Sequence, residues 1–135
     1  MTQETITLVQ DSWKKVEAIA PQVAALFYNN LFSADPSLKK LFTGDMTLQG
    51  QRLMEMIGLA VNKLNDLQAV VPVLQQLAKR HVKYGVKEAD YTTVGAALLQ
   101  TLGQGLGSDF TPSVREAWSS VYSTMASVMI AATKA

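Results

Sequence analysis

Hydrophobic positions recur at three- and four-residue steps along nearly the whole chain, and no segment alternates apolar with polar as a half-buried strand would. The first run sets Ile6, Val9, Trp13, Val16 and Ile19 on one side and Asp11, Lys14, Lys15 and Glu17 on the other, which predicts an amphipathic helix. Pro21 restarts the chain, because proline suits a first helical turn and disrupts an interior one. The second helix then carries Val23, Leu26, Phe27 and Leu31. Asp35-Pro36 reads as an N-cap followed by a first-turn proline, opening a short helix that ends near Leu41 and Phe42 before the turn Thr43-Gly44-Asp45. From about Thr47 a long stripe runs through Leu53, Met56, Ile57, Ala60, Val61 and Leu64. Projected back four places from Leu53 it lands on Gln49, so a polar amide sits at the edge of a buried face.

The segment from Leu67 to Tyr84 shows Val70, Val71, Leu74, Leu77, Ala78 and His81 on one face. Pro72 predicts that its regular part starts late, and Gly85 is a natural stop. A sixth helix from about Asp90 presents Tyr91, Val94, Leu98, Leu99 and Leu102, and the run Gly103-Gln104-Gly105-Leu106-Gly107 is expected to break it. Thr111-Pro112 caps a last helix with the stripe Val114, Trp118, Val121, Tyr122, Met125, Val128 and Met129. Six or seven helices with short corners predict an all-α globule, in a single domain over 1–135, rather than a regular four-helix bundle.

Composition narrows the chemistry. A 135-residue chain that is 48% hydrophobic suffices for one core. A formal net charge of +1 gives no broad positive field for nucleic acid or anionic lipid. The start, MTQETITLVQDSW, lacks the cationic lead and apolar stretch of a secretory signal, and no run approaches a membrane span, so a soluble cytoplasmic protein is expected. With no cysteine, thiolate nucleophiles, disulfides, iron–sulfur clusters and cysteine-bearing zinc sites are excluded. The single histidine, His81, cannot build a two-histidine metal site, and Ala78 stands where a di-iron bundle would need a glutamate.

His81 is the first candidate for chemistry, since Leu74, Leu77 and Ala78 line the surface from which its ring projects. Alone, such a histidine is more often a core residue hydrogen-bonded to backbone than a ligand. Tyr28 and Gln49 add two polar groups on the apolar-facing surfaces of two other helices; each alone is an ordinary rim contact, but together they suggest a polar spot inside. Hydrogen-bond donors there suit a small diatomic ligand that carries partial negative charge on a metal. Arg52 sits at the rim of the same face, where an arginine coats a helix or recognises a carboxylate at a cavity mouth. The glycine run follows a helix rather than a strand and lacks a Gly-Lys-Ser/Thr ending, so it is no phosphate loop. Glu55, Asp66, Glu88 and Glu116 read as solvated faces, and no Gly-x-Ser-x-Gly elbow supports a hydrolase.

The stretches Leu26-Phe27-Tyr28-Asn29-Asn30-Leu31-Phe32, Asp35-Pro36 through Leu41-Phe42, Arg80-His81-Val82-Lys83-Tyr84-Gly85-Val86 and Tyr91-Thr92-Thr93-Val94-Gly95 stand in the order and spacing of globins. Over essentially its whole length the chain resembles bacterial single-domain globins, in the branch that includes the haem domains of flavohaemoglobins and the globins of methane-oxidising thermoacidophiles. The resemblance implies a globin fold with haem b held non-covalently, since no Cys-x-x-Cys-His is present. It implies His81 as the proximal iron ligand, Phe42 on the haem face, Pro36 as the corner proline, and Leu53, Leu77, Val86 and Tyr91 against the cofactor. Tyr28 and Gln49 correspond to the distal pair, with Leu53 narrowing ligand access. Arg52, or else Lys39, Lys40 or Lys83, would meet the propionates.

The implied activity is reversible binding of dioxygen, carbon monoxide and nitric oxide at a five-coordinate ferrous haem, for oxygen storage, delivery or sensing. The alternative is nitric oxide dioxygenation with an external reductase, because no flavin or nicotinamide module is present. A haem-free helical interaction module is the third class. Two departures from the flavohaemoglobin pattern stand out. A second imidazole is missing, which excludes a bis-histidine haem within one subunit, and the tail Met129-Ile130-Ala131-Ala132-Thr133-Lys134-Ala135 lacks the glutamate that partners the proximal histidine there, leaving Tyr91 without it.

Overall fold

Side-chain caps set where the helices begin. Thr2 accepts from the Thr5 amide (3.2 Å) and opens α1, Gln3–Glu17. Pro21 lies in the first turn of α2, Ala20–Ala34. Asp35 accepts from the Ser37 amide (3.0 Å) and starts a 3-10 segment, Pro36–Leu41, rather than an α-helix. Asp45 accepts from the Thr47 amide (2.8 Å) and opens α3, Met46–Asn62. A short 3-10 turn, Leu64–Asp66, leads into α4, Leu67–Tyr84; α5 spans Glu88–Leu106, and Thr111 caps α6, Pro112–Thr133. The computed structural model describes residues 2–134, and among these no strand occurs.

Four expectations from the sequence are corrected. Pro72 lies inside a regular α4 that already starts at Leu67: it removes one hydrogen bond near the beginning of the helix, and the Gln68 carbonyl it leaves free belongs to an exposed residue. Asp90 is not the start of α5 but its third residue, and its Oδ2 accepts from the Lys87 amide (2.8 Å). The glycine run does not break α5 at Gly103. The helix continues to Leu106, with Gly105 approaching Val23 and Gly103 approaching Phe110, and it ends only at Gly107. Ile19 falls after the end of α1 and is exposed instead of extending the buried stripe.

Helix α1 lies against α6 and α3, and α2 crosses α5 and α3, while α4 packs mainly on α6. Between α1 and α6 the rings of Trp13 and Trp118 stand 6.0 Å apart. Trp118 Nε1 donates to Ser12 Oγ (2.8 Å), and that hydroxyl donates to the Leu8 carbonyl (2.7 Å), so the polar atoms at this contact are paired inside it. Helices α3 and α4 share no extended contact. The core is divided accordingly. A large cluster joins α1, α2, α3, α5 and the first half of α6, and a small one gathers Ala60, Val70, Leu74, Ala78, Tyr91 and Met129 around α4, with Met125 packed against both.

Candidate haem-binding site

The α4 terminus is built to hold His81 still. Gly85 adopts φ +93°, a left-handed conformation that costs glycine nothing. From it the Gly85 amide bonds to the Val82 carbonyl (3.1 Å) and the Val86 amide to the His81 carbonyl (2.9 Å), the paired bonds of a Schellman stop. His81 therefore sits in the fixed last turn, and Val86 turns back into the small cluster beside Leu77. Nδ1 of His81 is buried without a hydrogen-bond partner. Burial pushes the imidazole below its ordinary value, and the Leu77 carbonyl one turn earlier opposes this, near enough to favour the proton but without hydrogen-bond geometry. With Nδ1 enclosed in the protein, Nε2 is the ring nitrogen left to bind a ligand.

Tyr91 packs near His81, ring centroids 6.4 Å apart and planes 23° from parallel. Its hydroxyl is buried and unpaired, as the missing tail carboxylate implies, and burial pushes its pKa up. The Tyr91 carbonyl accepts from the Tyr122 hydroxyl (2.6 Å). Tyr122 can reach it because Gly95 has no side chain: a Cβ there would stand 2.6 Å from the Tyr122 ring. That contact aligns α5 with α6 beneath His81. Burial, and then Tyr91, raises the Tyr122 pKa.

Tyr28 is buried in α2 with Phe42 at 5.3 Å edge-on and Phe32 at 5.9 Å stacked, and Phe32 and Phe42 also meet at 5.4 Å. Burial raises the Tyr28 pKa, so its hydroxyl remains a donor at neutral pH. Gly50 permits the close crossing of α3 over α2: a Cβ there would stand 3.0 Å from Ala24 Cβ and 3.8 Å from the Tyr28 ring. Gln49, in the first turn of α3, is half-buried and donates its amide to the Thr43 carbonyl, sharing no hydrogen bond with Tyr28. Arg52 is exposed and forms no ion pair; Lys39, Lys40 and Lys83 are exposed as well.

The structure thus brings Tyr28 together with Phe42, and His81 together with Tyr91, Leu77 and Val86, while it directs Gln49 to the backbone and Arg52 to solvent. The sequence pattern does not single out Phe32, Gly50, Gly95 or Tyr122 as site residues, although Tyr122 falls on the apolar stripe of the last helix. Phe32 follows Tyr28 by one turn, a usable signal, but glycine has no side chain for periodicity to register.

These residues fit a haem. The expected wall residues Phe42, Leu53, Leu77 and Val86 are all only partly buried, as the sides of an open slot would be. Two buried polar atoms on the α4 side, His81 Nδ1 and the Tyr91 hydroxyl, lack partners, and α3 and α4 share no extended contact. A separate cavity of about 140 Å³ lies between α3 and α4 near their corner, lined by Met56, Leu59, Ala60, Val70 and Leu74, and none of the expected site residues lines it.

Comparison with known proteins agrees with the all-α fold. The family model described as Globin matches residues 25–129. A flavohemoprotein of Vibrio cholerae is 29% identical over 96% of this chain and 34% of its own length. One of Halalkalibacterium halodurans is 32% identical over 93% of this chain and 33% of its own length. Neuroglobin of Danio rerio is 31% identical over 90% of this chain and 86% of its own. The chain belongs to the globin family, an all-α haem-binding fold. It spans about one third of the flavohemoproteins it matches. None of its described helices is long and apolar enough to cross a membrane.

Proposed function

We propose that this chain binds dioxygen, and with it carbon monoxide and nitric oxide, reversibly on haem b, for oxygen storage, delivery or sensing. When bound, the haem supplies an iron that coordinates diatomic gases. The observation that carries the reading is His81: the only imidazole in the sequence is held in the last turn of α4 by the Gly85 stop, with Nδ1 buried and unpartnered beside the equally unpartnered Tyr91 hydroxyl.

The chain's own residues have distinct tasks. Nε2 of His81 holds the metal, and the Leu77 carbonyl favours a proton on Nδ1, which fixes the tautomer. Phe42, Leu53, Leu77, Val86 and Tyr91 exclude water by covering an apolar ring system, at roughly 25 cal/mol per Å² buried. Tyr28 donates its hydroxyl to a ligand with partial negative charge, and Gln49 adds a second donor once it releases the Thr43 carbonyl. Donors of this kind retain polarised dioxygen longer than less polar carbon monoxide. Arg52, Lys39, Lys40 and Lys83 stand as candidates for the propionates.

The test is the absorption spectrum of the purified protein, ferric, reduced, and reduced under carbon monoxide. A Soret band that shifts on reduction and again on carbon monoxide, and that His81→Ala abolishes, is expected; a colourless chain overturns the reading. Tyr28→Phe and Gln49→Leu should each speed dioxygen release, and an unchanged off-rate in both would remove the distal roles. The likeness to flavohemoproteins favours a second reading: conversion of nitric oxide, dioxygen and one electron from a reductase to nitrate. Steady nitric oxide consumption by catalytic amounts of protein with an electron donor would favour it.

A further inference from the structure

Charge is spread evenly over most of the chain but not around the end of α4. No carboxylate occurs between Asp66 and Glu88, whereas Lys79, Arg80, Lys83 and Lys87 all fall there, and all four are exposed. Among the described residues the ion pairs are Lys15–Asp109 and Lys134–Glu88, so these four cations are unpaired. The 3-10 segment with Lys39 and Lys40 abuts the same end, because a Cβ at Gly85 would stand 3.5 Å from Leu41. The bordering carboxylates are committed: Asp35, Asp45 and Asp90 cap helix starts, and Glu88 pairs with Lys134.

In this stretch stands Tyr84, one helical turn after Arg80 and 62% exposed, the most exposed large apolar side chain of the described residues, with Val82, on another side of the helix, next at 53%. An exposed aromatic group at the end of a cationic stretch has the anatomy of a protein interface, where the ring supplies the anchor and the charges steer a partner of opposite sign. Tyr84 also lies three residues after His81, so their Cβ atoms are helical neighbours at about 5–6 Å.

We propose that Tyr84 and the cations around it are the docking surface for an acidic one-electron carrier protein, the reductant of the ferric haem. The inference rests on the haem reading above. The carrier loses one electron and ferric iron gains it; no atom or proton is transferred. The surface favours a protein over a membrane because one aromatic and one valine offer little apolar area for insertion, and over nucleic acid because the net charge is only +1.

The test uses the haem-loaded protein. Its reduced carbon monoxide form, which cannot exchange electrons readily, is titrated by NMR with an acidic plant-type [2Fe–2S] ferredoxin at about 20 mM and about 500 mM salt. The reduction rate of the ferric form by the same ferredoxin, reduced, is measured alongside. Shifts should centre on Tyr84 and its neighbours, and the dissociation constant should rise at least tenfold with salt and again with Arg80→Glu plus Lys87→Glu. Tyr84→Ala should weaken binding and slow reduction with an unchanged Soret band, while Arg115→Glu, exposed on α6, should change neither. No binding, equal effects of all charge reversals, or stronger binding to phosphatidylglycerol vesicles than to the ferredoxin overturns the docking surface while the spectra keep the haem reading intact. A colourless chain overturns both.

Discussion

The two parts of the core are made from the same kinds of residue, yet they close differently. In the larger, buried polar groups are mostly paired: Trp118 with Ser12, Ser12 with the Leu8 carbonyl, and Thr101 with both Asn30 and the Ala97 carbonyl. Trp13 Nε1, over Gly58, is the exception. In the far smaller cluster around α4, two neighbouring groups, His81 Nδ1 and the Tyr91 hydroxyl, have no partner, and the flanking apolar side chains are only partly covered. A filled core explains itself by packing. A half-closed one with orphaned polar atoms points to something the polypeptide does not supply. On this view α4 depends on the cofactor, while α1, α2 and the first half of α6 do not.

The largest test strikes the filled side. Trp118→Ala should cost about 4 kcal/mol, the range for a fully buried aromatic, in haem-free and haem-loaded protein alike, as read by urea unfolding. A loss confined to one form would break the contrast. Stripping the haem should then lower hydrogen-exchange protection of α4 amides by about 100-fold and leave those of α1 nearly unchanged, since a ligand at roughly a hundred times its dissociation constant stabilises by about 2.7 kcal/mol. Equal loss in both helices would show that the two clusters open as one.

Gly95→Ala, which puts a methyl group into the Tyr122 ring, should cost about 2 kcal/mol and loosen α5 from α6 beneath His81. Tyr122→Phe, which removes only the bond to the Tyr91 carbonyl, should cost about 1 kcal/mol. If Tyr122→Phe proved the worse of the two, the hydrogen bond rather than the close approach would govern this contact.

The smallest effect is one of pH. The folded, haem-free protein resists protonating His81, whereas the unfolded chain takes the proton near the ordinary value of 6.5. Stability should therefore be unaffected by this group above that pH and decline as pH falls through and below it. His81→Gln should flatten that limb of the stability profile; an unchanged slope would assign it to the carboxylates.

Much of this was legible in the residues. The apolar stripes, the Asp35 and Thr111 caps and the Gly85 stop follow from local chemistry, and so did His81 on the inner face of its helix. What escaped depends on contacts between distant segments. Pro72 is tolerated because only one bond is lost, and the glycine run stays helical because α5 packs there against Val23 and Phe110. The approach of α3 to α2 at Gly50 leaves no trace in a hydrophobic pattern, since the feature is the absence of a side chain. The direction of Gln49 was equally hidden: position on the helix placed its Cβ, but the Thr43 carbonyl that engages its amide belongs to the preceding connection.

On the gas-binding reading proposed above, that engaged amide would favour some guests over others before any has bound. A gas that draws Gln49 inward must compensate for a bond already made to the backbone, which a strongly polarised molecule does and a nearly neutral one does not. Discrimination between gases of similar size would then rest on whether one side chain stays with the Thr43 carbonyl or turns inward.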